Sequence, residues 1–195
     1  MLQQPIQDRL PLRIILLGFM GSGKSTMGPM IANAIGYRFI DLDMEIEQRH
    51  DTTIGSVFNE LGESGFRAIE SAELRRVFRR ERTVLSTGGG IVTLAENRRL
   101  IKDLGFSVYL KLSPVELAER LEGSKDRPML FGEDGGTLSG NALVERVEQL
   151  TSLRSVHYES ADLVVDLGRD PGVDPVSAAA DHVVRAIHAS AKRSI

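Results

Sequence analysis

Gly18-Phe-Met-Gly-Ser-Gly-Lys24-Ser25 has the spacing G-x-x-x-x-G-K-S and directly follows the apolar run Ile14 to Leu17. Glycines at this spacing let successive backbone N–H groups turn inward onto phosphate oxygens. The helix expected to start there adds the positive end of its dipole. Gly21, Ser22, Gly23, Lys24, Ser25 and Thr26 are therefore candidate contacts of a nucleoside triphosphate. Lys24 would reach the β- and γ-phosphates, and the Ser25 hydroxyl would ligate Mg²⁺. The loop alone names no phosphoryl acceptor.

Other residues ask for a second ligand. Asp41 and Asp43 close a short apolar segment expected to be a strand. Positions i and i+2 of a strand share a face, so both carboxylates would look into one site at the strand's C-terminal edge. One could hold Mg²⁺ through water while the other accepts a hydrogen bond from a substrate hydroxyl. The alternative is an N-cap aspartate beside a solvated carboxylate. Gly88, Gly89 and Gly90 follow another apolar segment, and their cost in backbone entropy needs a reason. Close approach of the backbone to a ligand is one, a plain tight turn the other. Arg67 falls in a helical stretch with Glu70 one turn away as a possible partner. Arg75, Arg76, Arg79, Arg80 and Arg82 read as a solvated helix face. The four histidines show no metal-ligand spacing.

The elements that must position these groups alternate. Strands are expected at Leu12 to Leu17, Arg38 to Ile40, Thr83 to Ser86, Phe106 to Leu110 and Leu163 to Asp166. The first is apolar without alternation, as in a strand covered on both faces. Helices are expected from Thr26 to Ile35 with Gly36 as C-cap, from Ser113-Pro114 onward, and from Val176 to Ile187 at helical spacing. This alternation predicts an α/β fold, a parallel sheet with helices on both sides. The 195 residues predict one domain. Glu122 to Gly140, rich in glycine and charge, is either an exposed loop or a mobile lid, the lid favoured by Arg127 within it. A net charge of −3 gives no reason to expect nucleic acid or an anionic membrane as partner. The absence of cysteine excludes disulfides and thiolate metal sites. The opening residues lack an apolar signal-peptide core, and no apolar run approaches the roughly 20 residues that span a bilayer. A cytoplasmic monomer is the expectation.

Together GFMGSGKSTMG, FIDLDMEIE, GESGFRAIE, STGGG, DRPML and LRSVHYESAD resemble shikimate kinase, in that family's order and near its spacing, over nearly the whole chain. The resemblance implies a three-layer α/β/α fold of P-loop kinase type, with a five-stranded parallel sheet and a mobile lid. It implies transfer of the γ-phosphoryl of ATP to the 3-hydroxyl of shikimate with Mg²⁺. Lys24, Asp43 and Arg127 would be catalytic, Asp43 taking up the acceptor's proton. Arg67 and Arg154 would clamp the shikimate carboxylate, and Gly88, Gly89 and Gly90 would bring backbone N–H groups to the substrate. Arg120 would sit against the adenine, Arg127 and Arg169 would reach the nucleotide, and Asp41 would join Ser25 around Mg²⁺ through water. The chain departs from the family in a longer stretch between Arg127 and Arg154 and in Met129 within DRPML.

Two other readings are weighed. A sugar-acid kinase of the same fold would need a different substrate signature after the second strand. A ligand-sensing module without turnover would be expected to carry a helix-turn-helix ahead of it and to have lost loop lysine or site arginines, all of which stand here.

Overall fold

A computed structural model describes residues 10–124, 128–132, 135–168 and 175–193. Its strands are β1 (Arg13–Leu17), β2 (Arg38–Asp41), β3 (Thr83–Ser86), β4 (Phe106–Lys111) and β5 (Leu163–Asp166). Its helices are α1 (Lys24–Ile35), α2 (Leu42–His50), α3 (Ile54–Val77), α4 (Ala95–Leu104), α5 (Pro114–Leu121), α6 (Gly140–Tyr158) and α7 (Pro175–Arg193).

The strands form one parallel sheet in the order β2-β3-β1-β4-β5. Pleating sends Ile15 and Leu17 to one side, with Leu42 and Ile46 of α2 and Phe66, Leu74 and Val77 of α3. Ile14 and Leu16 point to the other, with Met27, Ile31 and Ile35 of α1 and Val183 and Ile187 of α7. Both faces are covered, which is why β1 is apolar at every position. A third cluster joins Phe19, Leu117, Leu121, Leu130, Leu143 and Val147, packing α5 and α6 beside the glycine loop.

Local signals set the ends of several elements. Gly36 caps α1 in the left-handed conformation, its N–H reaching Ala32 and Asn33 carbonyls. Ser113 and Glu116 form a capping box at α5, with Pro114 in the first turn. Gly28 faces Phe39, and a Cβ there would collide with the ring, so α1 lies close on β2. Helix α3 is broken at Gly62, whose φ of 68° and ψ of −176° are non-helical. The topology reverses at β1, which lies between β3 and β4. Ligands of such sheets bind at the carboxyl edge where the order reverses, and the glycine loop and Gly88–Gly90 both leave the sheet there.

The structure corrects one local expectation. Asp43 is not on a strand; β2 ends at Asp41, and Asp43 lies in the first turn of α2. The two carboxylates come together because Asp41 caps the helix that carries Asp43, not through strand pleating.

Candidate active site

The glycine loop wraps around its own lysine. Gly23 is the N-cap of α1 at φ 93°, a conformation that a Cβ strains, and it turns the chain into the helix. Lys24 is buried, and its Nζ donates to the carbonyls of Gly18 (2.8 Å) and Phe19 (2.9 Å) and to Ser22 Oγ (3.4 Å). Ser25 and Thr26 are exposed at the helix start. Arg120, at the end of α5, donates to the Gly21 carbonyl at 3.3 Å and so flanks the loop.

Beside the loop, Ser25 Oγ donates to Asp41 Oδ2 at 2.6 Å and lies 3.4 Å from Ser86 Oγ. The other oxygen of Asp41 accepts from the N–H of Asp43 (3.1 Å) and Met44 (3.4 Å). Asp41 is thus both the N-cap of α2 and the partner of Ser25. A hydroxyl and a carboxylate in contact at a phosphate loop are oxygen donors suited to a hard divalent cation, so the residues fit Mg²⁺. Among the described residues no cluster of three His, Cys, Asp or Glu side chains forms a metal site.

A cavity of about 130 Å³ opens next to the loop, with Asp43, Arg67, Glu70, Gly88–Gly90, Met129 and Arg154 among its lining. Arg67 and Arg154 are only 7% and 5% exposed, although nothing in their local sequence marks them as buried. Arg67 NH1 donates to Glu70 Oε2 at 2.7 Å, and its NH2 meets Glu63 at 3.3 Å. Arg154, from α6, lies over the Phe19 ring with its guanidinium carbon 5.8 Å from the centroid, and its NH1 donates to the Gly89 carbonyl at 3.4 Å. Buried guanidinium forks directed at one cavity suit a carboxylate.

The glycine run is explained by space rather than backbone freedom, since none of the three has a left-handed φ. A Cβ on Gly90 would collide with the Arg67 guanidinium. One on Gly88 would stand 2.8 Å from Glu70 Oε1 and 3.1 Å from Asp43 Oδ1. One on Gly89 would meet the Met20 N–H at 3.2 Å, so this turn lies directly against the glycine loop. Tyr158, fully buried, donates its hydroxyl to the Gly89 carbonyl. Burial pushes the Tyr158 phenol up to about 12, so it remains a donor at neutral pH.

Glu70 is the site residue that sequence reasoning undervalued. It is fully buried, and its Oε1 has no hydrogen-bond partner among the described residues. Burial raises its carboxyl to about 7, against the opposing pull of Arg67 and with a smaller push from Asp43. Its spacing of three from Arg67 was the available signal, but only the packing of α3 shows that the pair faces a cavity. Met129, one of the departures from the family sequence, lines the same cavity, with its sulfur 3.9 Å from Arg154 NH2.

Arg127 and Arg169 lie outside the described residues. So do parts of the expected lid, in which residues 128–130 form a 3-10 turn and Phe131 bridges Thr137. The arginine run is no uniform solvated face: Arg76 and Arg80 reach Glu45 of α2, while Arg75 pairs with exposed Glu96.

The family model for shikimate kinase matches residues 20–187. The chain belongs to the shikimate kinase family. It is 43% identical over 157 residues to the shikimate kinase of Chlorobium chlorochromatii, covering 80% of this chain and 82% of the relative. The shikimate kinase of Chlorobaculum tepidum is 43% identical over 152 residues, 78% of this chain and 80% of the relative. Among solved structures, a shikimate kinase from Acinetobacter baumannii in complex with shikimate superposes with a TM-score of 0.81. That protein is 31% identical, and the match covers 95% of this chain and 98% of the other. A gluconokinase from Sinorhizobium meliloti, 23% identical at a TM-score of 0.53, shares the fold alone. The observed three-layer architecture is therefore that of a shikimate kinase, and the chain is an ATP-dependent phosphotransferase acting on shikimate.

Proposed function

We propose that shikimate occupies the cavity between α2, α3 and the Gly88–Gly90 turn, and that Asp43, Lys24 and the buried arginines divide the work of its 3-phosphorylation. The observation that carries this reading is that two buried guanidinium groups and two carboxylates share one cavity wall to wall with the phosphate loop. The solved relative from Acinetobacter baumannii holds shikimate.

Arg67 and Arg154 take the carboxylate in charge-assisted hydrogen bonds, which fixes the ring. Asp43 accepts a hydrogen bond from the 3-hydroxyl. Backbone N–H groups of Gly88–Gly90 complete the pocket. The N–H groups of Gly21, Ser22, Gly23, Ser25 and Thr26, with Lys24, hold the triphosphate. As the 3-oxygen bonds to the γ-phosphorus, the bond from that phosphorus to the β–γ bridging oxygen breaks, ADP leaves, and the hydroxyl proton passes to Asp43. Little covalent help is needed, so position and positive charge supply most of the rate. Lys24 neutralises the transferring group, and Arg127, which lies outside the described residues, is assigned the same task by the family resemblance, as part of the expected lid at 122–140. Ser25 and Asp41 would hold Mg²⁺, which when bound neutralises charge on the phosphate oxygens. Arg120 and Arg169 flank the nucleotide. The enzyme works as a single-domain monomer in the cytoplasm, a location that goes with its cysteine-free composition.

The test is ADP release from Mg·ATP with shikimate, gluconate or quinate, for the wild type and Asp43→Asn. Turnover with shikimate alone, lost in Asp43→Asn while ATP binding persists, is the expected result. Full activity in that variant would overturn the role of Asp43.

A further inference from the structure

We infer that Glu45 and Arg76 are positioning residues for phosphoryl transfer, forming an ionic clamp that fixes Asp43 of α2 relative to Arg67 of α3. The inference rests on the reading that Asp43 and Arg67 hold opposite ends of the acceptor.

The two groups belong to different helices, so their separation depends on how α2 lies on α3. Leu42 and Ile46 of α2 share one core cluster with Val57, Phe66, Leu74 and Val77 of α3. Apolar burial of this kind is non-directional and resists sliding and rotation only through shape. The direction comes from charge. Glu45, two residues past Asp43, receives Arg76 NH2 on one oxygen and Arg80 NH1 (3.2 Å) on the other. Arg76 also binds Glu73 through Nε at 2.6 Å, and Glu73, almost fully buried, is met by Arg49 of α2 at 3.8 Å. Helix α2 is thereby tied to the α3 region near both of its ends.

The Glu45 network holds the part of α3 after its break, while at the start of α3 the Ile54 N–H donates to Glu47 of α2 at 2.9 Å. Arg67, Glu70, Glu73 and Arg76 all lie after the break at Gly62, whereas Ile54, Gly55 and Phe58 of the cavity lie before it. Asp43, Arg67 and Glu70 therefore ride on one unit joined by the clamp. Arg76 sits about 13 Å along the helix from Arg67. It touches neither the cavity nor the glycine loop, so its effect on substrate must pass through the placement of α2.

The experiment compares Glu45→Gln, Arg76→Gln, their double variant and Arg76→Lys with wild type, measuring shikimate Kd by calorimetry and KM for each substrate. Arg75→Gln, at the exposed pair with Glu96, is the control. Glu45→Gln should raise the Kd and KM for shikimate by about three- to ten-fold. Arg76→Gln should act in the same direction, since it leaves Glu45 to Arg80 and the almost fully buried Glu73 to Arg49. The double variant should be no worse than the worse of the two single variants, since both break one network. The KM for ATP should stay within about two-fold of wild type, and Arg76→Lys should recover part of the loss. The inference is overturned if both variants keep shikimate constants within about two-fold of wild type while Arg67→Ala raises them. It is equally overturned if KM rises alike for both substrates with a fall in Tm, the mark of a merely structural role. Should Arg67→Ala leave shikimate binding unchanged, the placement of substrate fails, and the inference with it.

Discussion

Lys24 donates its ammonium to two carbonyls and a hydroxyl of its own loop, which holds the charge at the start of α1. Lys24→Met should lower kcat by about 10²-fold or more; near-normal turnover would remove the lysine from the mechanism. Gly90 stands where only a hydrogen fits beside the Arg67 guanidinium. Gly90→Ala should push that fork aside and cut kcat/KM for shikimate on the order of 10²-fold, with the KM for ATP unchanged. Steady-state kinetics that found the shikimate constants intact would place the carboxylate elsewhere. Glu70 yields a prediction about pH. Burial raises its carboxyl from 4.5 to about 7, so the folded state binds a proton that the unfolded chain has released. The associated stabilisation is complete below pH about 4.5 and is lost as pH rises through about 7. Ligand-free wild type should therefore lose more Tm between pH 5 and pH 8 than Glu70→Gln does. Parallel profiles would mean that Glu70 stays ionised on Arg67 throughout.

At the scale of elements, the break in α3 is the feature with the clearest energetic signature. Gly62 occupies a region of backbone space almost closed to other residues, although a Cβ there would meet nothing within 4 Å. Gly62→Ala should cost about 1–3 kcal/mol in a denaturant titration, and a variant as stable as wild type would mean that the helix can straighten freely. The sequence places the Arg67 helix after Gly65 but does not say that the non-helical residue is Gly62. Gly62 and Gly65 flank Glu63 and Ser64 in a stretch whose apolar spacing continues on either side. By contrast β1, β3 and β5, the Gly36 cap and the Ser113 cap followed by Pro114 were legible, because each rests on a few adjacent residues. The expected β3 and β5 match the observed bounds, while β4 continues to Lys111 and α1 begins at Lys24, as element ends drift when the cap is backbone alone. The site was legible in its parts but not in its burial. Arg67 and Arg154 look like ordinary surface arginines until α3 and α6 are packed, and Asp43 looked like a strand residue because Asp41 is at once the last residue of β2 and the cap of α2. These properties are set by contacts between distant segments, which spacing along the chain does not encode.

At the scale of the whole molecule, one sheet with two covered faces supports a site assembled along a single edge. A ligand bound there and not to the unfolded chain must stabilise the fold by mass action. Shikimate at about 100 times its Kd should contribute ~2.7 kcal/mol, a rise in Tm of roughly 5–10 °C for a domain of this length. A thermal-shift series without that rise would argue against binding. Sedimentation should give one species near 21.4 kDa; a heavier one would overturn the monomer. The turn at Gly89 carries this further. With no side chain at that position, the Gly88–Gly90 turn lies close against Met20 of the glycine loop, which itself lines the cavity. On the proposed placement of the two substrates, any coupling between them through this contact obeys a thermodynamic cycle that admits no one-way influence. The factor by which shikimate changes the affinity for nucleotide must equal the factor by which nucleotide changes the affinity for shikimate.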